Sequence, residues 1–237
     1  MNPLLPLHAS GLVIRRRGKR ILGPVDLTLP EQGFTILIGP NGSGKTSLLK
    51  SLHGVERLSE GAVNWNVATE QARNRQAYVF QSPIMLRRSV RENLAYPMRL
   101  DRIGKSEIDK ACDEWAKRIG LGDALDRPAP RLSGGEQQKL ALARALIRGP
   151  DMLFLDEPCA NLDGRATREI EAMLLEAHRQ GTRILMATHD LGQLKRLASD
   201  VIFLRSGRIH ESGPAEEVLS NPQTPELRAF LQGDIVE

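Results

Sequence analysis

At 237 residues the chain is long enough to bury a substantial core, and its 41% hydrophobic and 26% charged residues are typical of globular proteins. No stretch approaches the roughly 20 apolar residues of a membrane-spanning helix. The opening residues hold Pro3 and Pro6 and no basic leader, so they do not predict a secretory signal. Cys112 and Cys159 are too few for a disulfide framework and suit a reducing compartment.

The positive charge is concentrated in one short run. The net charge is +4 and the isoelectric point about 9.3. Residues 15–20 (RRRGKR) carry five positive charges and no acid, and +4 minus these five leaves −1 for the rest. Such a run predicts a solvated turn, because a nucleic-acid surface needs a broader basic patch.

The first elements in chain order predict a strand, a loop and a helix. Apolar residues alternate within 11–30, which predicts two strands joined by the basic turn. Residues 34–39 (FTILIG) form a short apolar run rich in β-forming residues, and a helix-like segment follows from Lys45 to His53. Between them the chain fits G-x-x-x-x-G-K-[ST], in which glycines turn N–H groups towards one anion and a lysine adds a cation. The predicted phosphate-binding residues are Gly39, Pro40, Asn41, Gly42, Ser43, Gly44, Lys45 and Thr46.

The pattern of residues 88–148 differs from that of the preceding segment and predicts mostly helices. Ser89 and Ser106 are each predicted to cap one helix. Ser133 with Glu136 fits the S-x-x-E capping box before a third helix.

Two further apolar runs predict buried strands that end in polar residues. They are residues 152–158 (MLFLDEP) and 183–190 (RILMATHD). Strands separated by helices favour a mainly parallel sheet, whose carboxyl ends meet at one edge. We therefore expect Asp156, Glu157 and His189 to lie beside the phosphate loop, with Asp156 on Mg²⁺ and Glu157 activating water.

Residues 132–139, LSGGEQQK, resemble the signature of ATP-binding-cassette (ABC) ATPases. The other motifs of that family occur here in its order: Gln81 in YVFQ, the acidic strand end, Asn161-Leu162-Asp163, and His189. The resemblance implies an α/β fold with a P-loop NTPase core and mainly parallel sheet, an antiparallel β subdomain and a helical subdomain. It places the core at 1–87 and 149–215, the helical signature subdomain at 88–148 and a C-terminal tail at 216–237.

The same resemblance implies a role for each motif. Residues 43–47, including Ser47, would hold the phosphates of ATP and Mg²⁺, to which Thr46, Gln81 and Asp156 are ligands. Gln81, Glu157 and His189 would serve hydrolysis. Ser133 and Gly135 would complete the site of a second copy in a head-to-tail homodimer, and Asp163 would couple the two sites. A helix start capped by serine and followed by glycines is itself an anion site.

One position departs from the family pattern. ABC ATPases place an aromatic residue near the start of the chain to stack on adenine, and no aromatic residue precedes Phe34 here. The matching position is Arg17, whose guanidinium plane can stack on a base. Two expectations stay open: Arg17 replaces the aromatic residue, or adenine is held loosely.

One ATPase domain without a coiled-coil insertion resembles the stand-alone subunit of an importer. The segment 82–94 and the ending GDIVE are similar to those of tungstate- and phosphate-type oxyanion importers. This implies integral membrane permease subunits, a solute-binding protein and a peripheral position on the cytoplasmic face of the membrane. The alternative is a nucleic-acid- or ribosome-associated ABC ATPase that uses residues 15–20. The transporter interpretation predicts no nucleic-acid partner, whereas the alternative predicts salt-dependent stimulation by nucleic acid.

Overall fold

The computed structural model describes residues 3–234, in which the strands form two sheets. The smaller sheet is antiparallel and has the order β2–β1–β4. Its members are β1 (Leu7–Arg16), β2 (Lys19–Leu29) and β4 (Glu60–Trp65). The basic run covers the exposed ends of β1 and β2 and the turn between them, which is formed by Arg17 and Gly18.

The larger sheet has the order β5–β6–β7–β3–β8–β9. Every neighbouring pair is parallel except β8 and β9. The strands β3, β6 and β7 are buried along their whole length, as expected of a parallel sheet covered on both faces. The members are β3 (Phe34–Ile38), β5 (Gln76–Val79), β6 (Met152–Asp156), β7 (Arg183–Ala187), β8 (Asp200–Arg205) and β9 (Arg208–Pro214).

Helices α1 (Lys45–His53) and α2 (Thr69–Asn74) connect strands of the two sheets. Between β5 and β6 the chain forms α3 (Val90–Leu100), α4 (Lys105–Arg118), two 3-10 turns and α5 (Gly134–Leu146). Capping boxes start α3 at Ser89 and α5 at Ser133, as predicted. The prediction that Ser106 caps α4 is wrong, because the helix already begins at Lys105 and Gly104 is its N-cap. The combination of sheets and helices confirms the expected fold class.

The remaining helices cover the sheet and the end of the described chain. They are α6 (Gly164–Arg179), α7 (Leu191–Leu197), α8 (Ala215–Ser220) and α9 (Pro225–Gln232). The last two occupy the segment expected to be a tail, and the final residues of the GDIVE ending, 235–237, lie outside the described residues. Within residues 3–234, no helix combines the length and apolar character needed to cross a bilayer.

Candidate active site

The loop between β3 and α1 lines a cavity of about 1000 Å³. Gly39, Gly42 and Gly44 have φ values of 148°, 80° and 104°, a backbone region that glycine occupies without strain. A Cβ atom at Gly39 would also lie 2.0 Å from the carbonyl oxygen of Leu204. Glycine at this position therefore lets the chain curl tightly after β3, so that α1 begins at the cavity. The lining from this segment is Gly39, Pro40, Asn41, Gly42, Gly44, Lys45, Thr46 and Ser47.

The loop contains a buried cation, Lys45, and a buried hydroxyl without a hydrogen-bond partner, that of Ser43. The Lys45 Nζ donates to the carbonyl oxygens of Gly39 at 2.7 Å and Pro40 at 3.1 Å. The residue is only 7% exposed, and burial lowers the pKa of its amine. The Ser43 Oγ is buried and has no hydrogen-bond partner among residues 3–234. A phosphate group in the cavity would offset the buried charge of Lys45 and accept from its amine. Ser43, although predicted to bind phosphate, does not line the cavity.

Thr46 and Asp156 meet at the carboxyl ends of β3 and β6. The Thr46 hydroxyl donates to Asp156 Oδ1 at 3.0 Å, and the Tyr78 hydroxyl lies 3.4 Å from Asp156 Oδ2. Burial raises the pKa of the Asp156 carboxyl. The described residues contain no cluster of three or more histidine, cysteine and acidic side chains suited to a metal. A Mg²⁺ ion would have the oxygens of Thr46 and Asp156 here, with Gln81 on the same cavity wall, and would take its other ligands from phosphate and water, as Mg²⁺ commonly does.

Glu157 stands at the centre of a polar group beside the loop. Its Oε2 accepts a hydrogen bond from Gln81 Nε2 at 3.3 Å and lies 3.1 Å from His189 Nδ1. The Glu157 side chain is 14% exposed, whereas that of His189 is 62% exposed. All three residues line the cavity. The carboxylate is thus fixed by two neighbours and still reaches the cavity, as a base that deprotonates water requires.

The predicted signature residues lie in a different place. Ser133, Gly135 and Asp163 line a separate groove of about 380 Å³ at the start of α5. Asp163 caps α6 by accepting from the Ala166 N–H at 2.8 Å. Asn161 lines both the cavity and the groove, but no residue of the phosphate loop does. Within one chain, the structure therefore does not bring the signature residues and the phosphate loop together around one cavity.

Comparison with known proteins identifies the family. The ABC transporter family profile (ABC_tran) matches residues 22–160. This chain belongs to the ABC transporter family. It is an ATPase that binds ATP with Mg²⁺ and couples hydrolysis to transport.

Relatives of this ABC transporter chain include import ATP-binding proteins. A tungstate uptake system ATP-binding protein of Peptoclostridium acidaminophilum is 38% identical over 88% of this chain and 98% of the relative. A phosphate import ATP-binding protein of Natronomonas pharaonis is 34% identical over 92% of this chain and 84% of the relative. Among solved structures, cbiO1 from Clostridium perfringens, part of the ABC transporter complex cbiONQ, has a TM-score of 0.80 at 26% identity over 92% of both chains.

The end of the cavity opposite Glu157 holds residues that sequence reasoning missed. They are Ile21 of β2 and, from α9 and its C-terminus, Phe230, Gly233 and Asp234. The amphipathic sequence TPELRAFLQG predicts a helix that packs on the core, but it carries no signal for a nucleotide. Only the fold brings this segment to the ABC transporter's cavity.

Arg17 lies outside the cavity wall. It is exposed in the turn between β1 and β2, with a φ of 50°. Its neighbours in the basic run are engaged, since Arg15 pairs with Glu60 at 3.3 Å and Arg16 pairs with Glu56. Stacking of Arg17 on adenine stays a prediction, and the two ion pairs fit a solvated turn that is tied to the protein surface.

Proposed function

We propose that this chain is the ATPase subunit of an oxyanion importer, bound at the cytoplasmic face of the membrane and active as a head-to-tail homodimer. The observation that carries the dimer is the separation of the two anion sites. The phosphate loop and the Ser133 helix start do not line one cavity in a single chain. A second copy, rotated so that its groove covers the cavity, would supply the missing wall, as an isologous dimer allows.

In this proposal each residue of the cavity has one task. Lys45 and the loop N–H groups hold the phosphates, and Thr46, Asp156 and Gln81 hold Mg²⁺, which would neutralise developing charge on the phosphate oxygens. Glu157 accepts the proton of the attacking water, while the His189 ring contacts the γ-phosphate. The products are ADP and inorganic phosphate. Asp163 couples the two sites, since it lines the groove two residues after Asn161, which lines both the groove and the cavity.

The dimer would follow the state of the nucleotide. While ATP is intact, its γ-phosphate is held by Lys45 of one chain and the Ser133 helix start of the other. Hydrolysis removes that shared anion, so the contact across the interface weakens and the dimer opens. Opening and closing is the movement that membrane permease subunits would convert into transport.

A second surface next to Gln81 suits the permease subunits. Ile84 and Leu100 are each 63% exposed and Tyr96 is 42% exposed, and all three line a largely apolar groove of about 370 Å³. Arg144 fixes this groove by donating to the Ile84 carbonyl oxygen at 2.7 Å. Exposed apolar side chains in a fixed groove are typical of a protein interface.

The solute is proposed to be an oxyanion such as tungstate, delivered by a solute-binding protein. The similarity to the tungstate uptake protein over 98% of that relative supports this choice. The phosphate import relative supports the wider oxyanion class. Since the solute would not touch this subunit, the test belongs to the assembled transporter.

Complementation tests the dimer. Lys45→Ala should disable the phosphate loop, and Gly135→Asp should disable the signature groove. A dimer that mixes the two variants has one intact site, built from Lys45 of one chain and Gly135 of the other. An equimolar mixture should therefore hydrolyse ATP faster than either variant alone.

Two loop variants, Lys45→Ala and Thr46→Ala, are the control, since their mixed dimer has no intact site. If the first mixture is no more active than the control mixture, the active site does not span two chains.

The transport proposal is tested in membranes. The wild-type chain should co-purify with integral membrane subunits, and Ile84→Asp should abolish that capture. Val55→Asp is the matched control, because Val55 is also exposed, at 53%, but does not line the groove. In the captured complex, tungstate with its binding protein should stimulate hydrolysis. Stimulation of hydrolysis by phosphate but not by tungstate would disprove tungstate as the solute and retain the oxyanion class. Stimulation by nucleic acid instead of an oxyanion would disprove the importer function.

A further inference from the structure

The order of strands gives the cavity two chemically different ends. Gln81, Glu157 and His189 follow β5, β6 and β7, which are consecutive neighbours, and β3 with the phosphate loop comes next. On the far side of β3 lies β8, whose Phe203 packs on Phe230 with ring centroids 5.5 Å apart. The hydrolytic residues and Phe230 therefore stand on opposite sides of the loop.

This geometry orients a bound nucleotide. Its γ-phosphate must face Glu157, because water attacks there. The ribose and base then extend past the loop towards β8, where Ile21, Phe230, Gly233 and Asp234 form the wall. The Asp234 carboxylate would repel a phosphate but can accept hydrogen bonds from ribose hydroxyls or an amino group.

Helix α9 is firmly attached to the ATPase core. Leu227 is fully buried, and Thr224 caps the helix by accepting from the Leu227 N–H. Glu226 pairs with Arg205, the last residue of β8, at 2.9 Å. The helix thus holds the Phe230 ring at a fixed position, half-buried against Phe203 with part of it at the cavity.

We propose that the C-terminal helix supplies the base-binding wall of the ATP site, with Phe230 stacking on adenine and Ile21 contacting it from β2. The inference rests on the phosphate-loop assignment proposed above. An aromatic ring offers a flat apolar surface to any base, and such stacking is sequence-tolerant. Phe230 therefore takes the task for which the N-terminal segment has no aromatic residue. It replaces both expectations left open from the sequence, stacking by Arg17 and loosely held adenine.

The test separates base binding from phosphate binding. ADP and inorganic pyrophosphate are titrated into each variant by calorimetry, so that neither hydrolysis nor ATP-driven dimerisation contributes. Phe230→Ala should weaken ADP roughly tenfold, the size expected for loss of one base stack, and leave pyrophosphate unchanged. Phe230→Tyr should restore ADP affinity, and Phe230→Leu, which keeps apolar packing, should behave like Phe230→Ala.

Three control variants distinguish loss of base binding from general damage to α9 and from loss of phosphate binding. Leu231→Ala removes another half-buried side chain of α9 that does not line the cavity, and it should leave ADP binding intact. Arg17→Ala should also leave it intact. Lys45→Ala should weaken both ligands, and normal binding there would contradict the phosphate site rather than the base site. Unchanged ADP affinity in Phe230→Ala, or equal weakening of ADP and pyrophosphate, would overturn the role of Phe230.

Discussion

The starts of α1 and α5, the two anion sites of the proposed function, differ in how each is prepared for an anion. Helix α1 begins after Gly44 with no side-chain cap, in a cavity of about 1000 Å³ that contains the buried Lys45. Helix α5 begins in an open groove of about 380 Å³, where its own Glu136 caps Ser133. The first start has unused donors, whereas the second already faces a carboxylate.

This difference supports the proposal that the second site acts only together with the first site of another copy. The Glu136 carboxylate lies 2.8 Å from both the backbone nitrogen and the Oγ of Ser133, and these hydrogen bonds lower the pKa of Glu136. A weak, partly occupied anion site cannot hold a phosphate alone. In the proposed dimer it would add a contact to a phosphate that Lys45 of the other chain already holds, and this contact would be lost after hydrolysis.

The largest effect is expected from Glu157→Gln, which should prevent ATP hydrolysis at the first site without preventing ATP binding. Glu157→Gln keeps a side chain that can bond to Gln81 and His189 but removes the base. Hydrolysis should fall by about 10²- to 10⁴-fold, and the ATP-bound dimer should accumulate. Phosphate release and analytical ultracentrifugation with and without ATP measure both. A Glu157→Gln chain that stays monomeric with ATP and hydrolyses at the normal rate would contradict its assigned role.

The second site is tested by placing a negative charge where the γ-phosphate would arrive. Gly135→Asp fits sterically, since a Cβ atom there lies 3.5 Å from the nearest atom, a methyl of Ala166. ATP hydrolysis should fall roughly 10²-fold, comparable to loss of an oxyanion contact. ATP binding to the monomer, measured by calorimetry, should be unchanged.

Gly104→Asp provides the matched control for that variant. Gly104 is the N-cap of α4, and a Cβ atom there meets nothing within 4 Å. The added charge is thus the same, at a helix start that lines neither the cavity nor the groove. Equal losses in the two variants would mean that charge at any helix start disturbs the protein.

The helix that follows the first site, α1, packs against the core as far as its last residue. His53, the last residue of that helix, packs against Tyr78 and Phe154 at 5.4 and 5.6 Å between ring centroids. Burial lowers the pKa of His53 from 6.5 to about 4. Below pH 6.5 the unfolded chain binds a proton that the folded chain refuses until about pH 4. Stability should therefore decline as the pH falls through this window, by up to about 3 kcal/mol at its acid end.

His53→Phe keeps a ring in place and should remove this decline, as measured by urea unfolding at a series of pH values. The exposed His210 offers a control, since His210→Phe should leave the acid sensitivity in place. An unchanged pH profile in His53→Phe would show that other groups cause any acid sensitivity.

Sequence reasoning reached the first site and the capping of the second because each lies in a short motif next to one strand or helix. Gly39 to Thr46 and Asp156-Glu157 each follow a buried strand, so their meeting at one sheet edge could be predicted. The base end could not, since Ile21 and Phe230 come from opposite ends of the chain. They line the same cavity because β2 packs beside the turn after β8, where the Gly23 N–H donates to the Gly207 carbonyl oxygen at 2.7 Å.

The smallest expected effect comes from Glu136→Gln. This substitution tests the difference between the two helix starts most directly, because it alters only the carboxylate at the start of α5. In Glu136→Gln the side-chain oxygen can still accept from the Ser133 N–H, so the capping box survives. The negative charge is lost, however, and with it the repulsion of a nearby phosphate, roughly 0.5–1 kcal/mol if it matches the stronger interactions between exposed charges. The ATP-dependent dimer should therefore tighten about two- to fivefold, an effect that sedimentation of Glu157→Gln with and without Glu136→Gln can resolve. The double variant could instead dimerise more weakly at equal thermal stability. The Glu136 carboxylate would then assist the contact between the two chains, and the idea that it weakens anion binding at the start of α5 would be wrong.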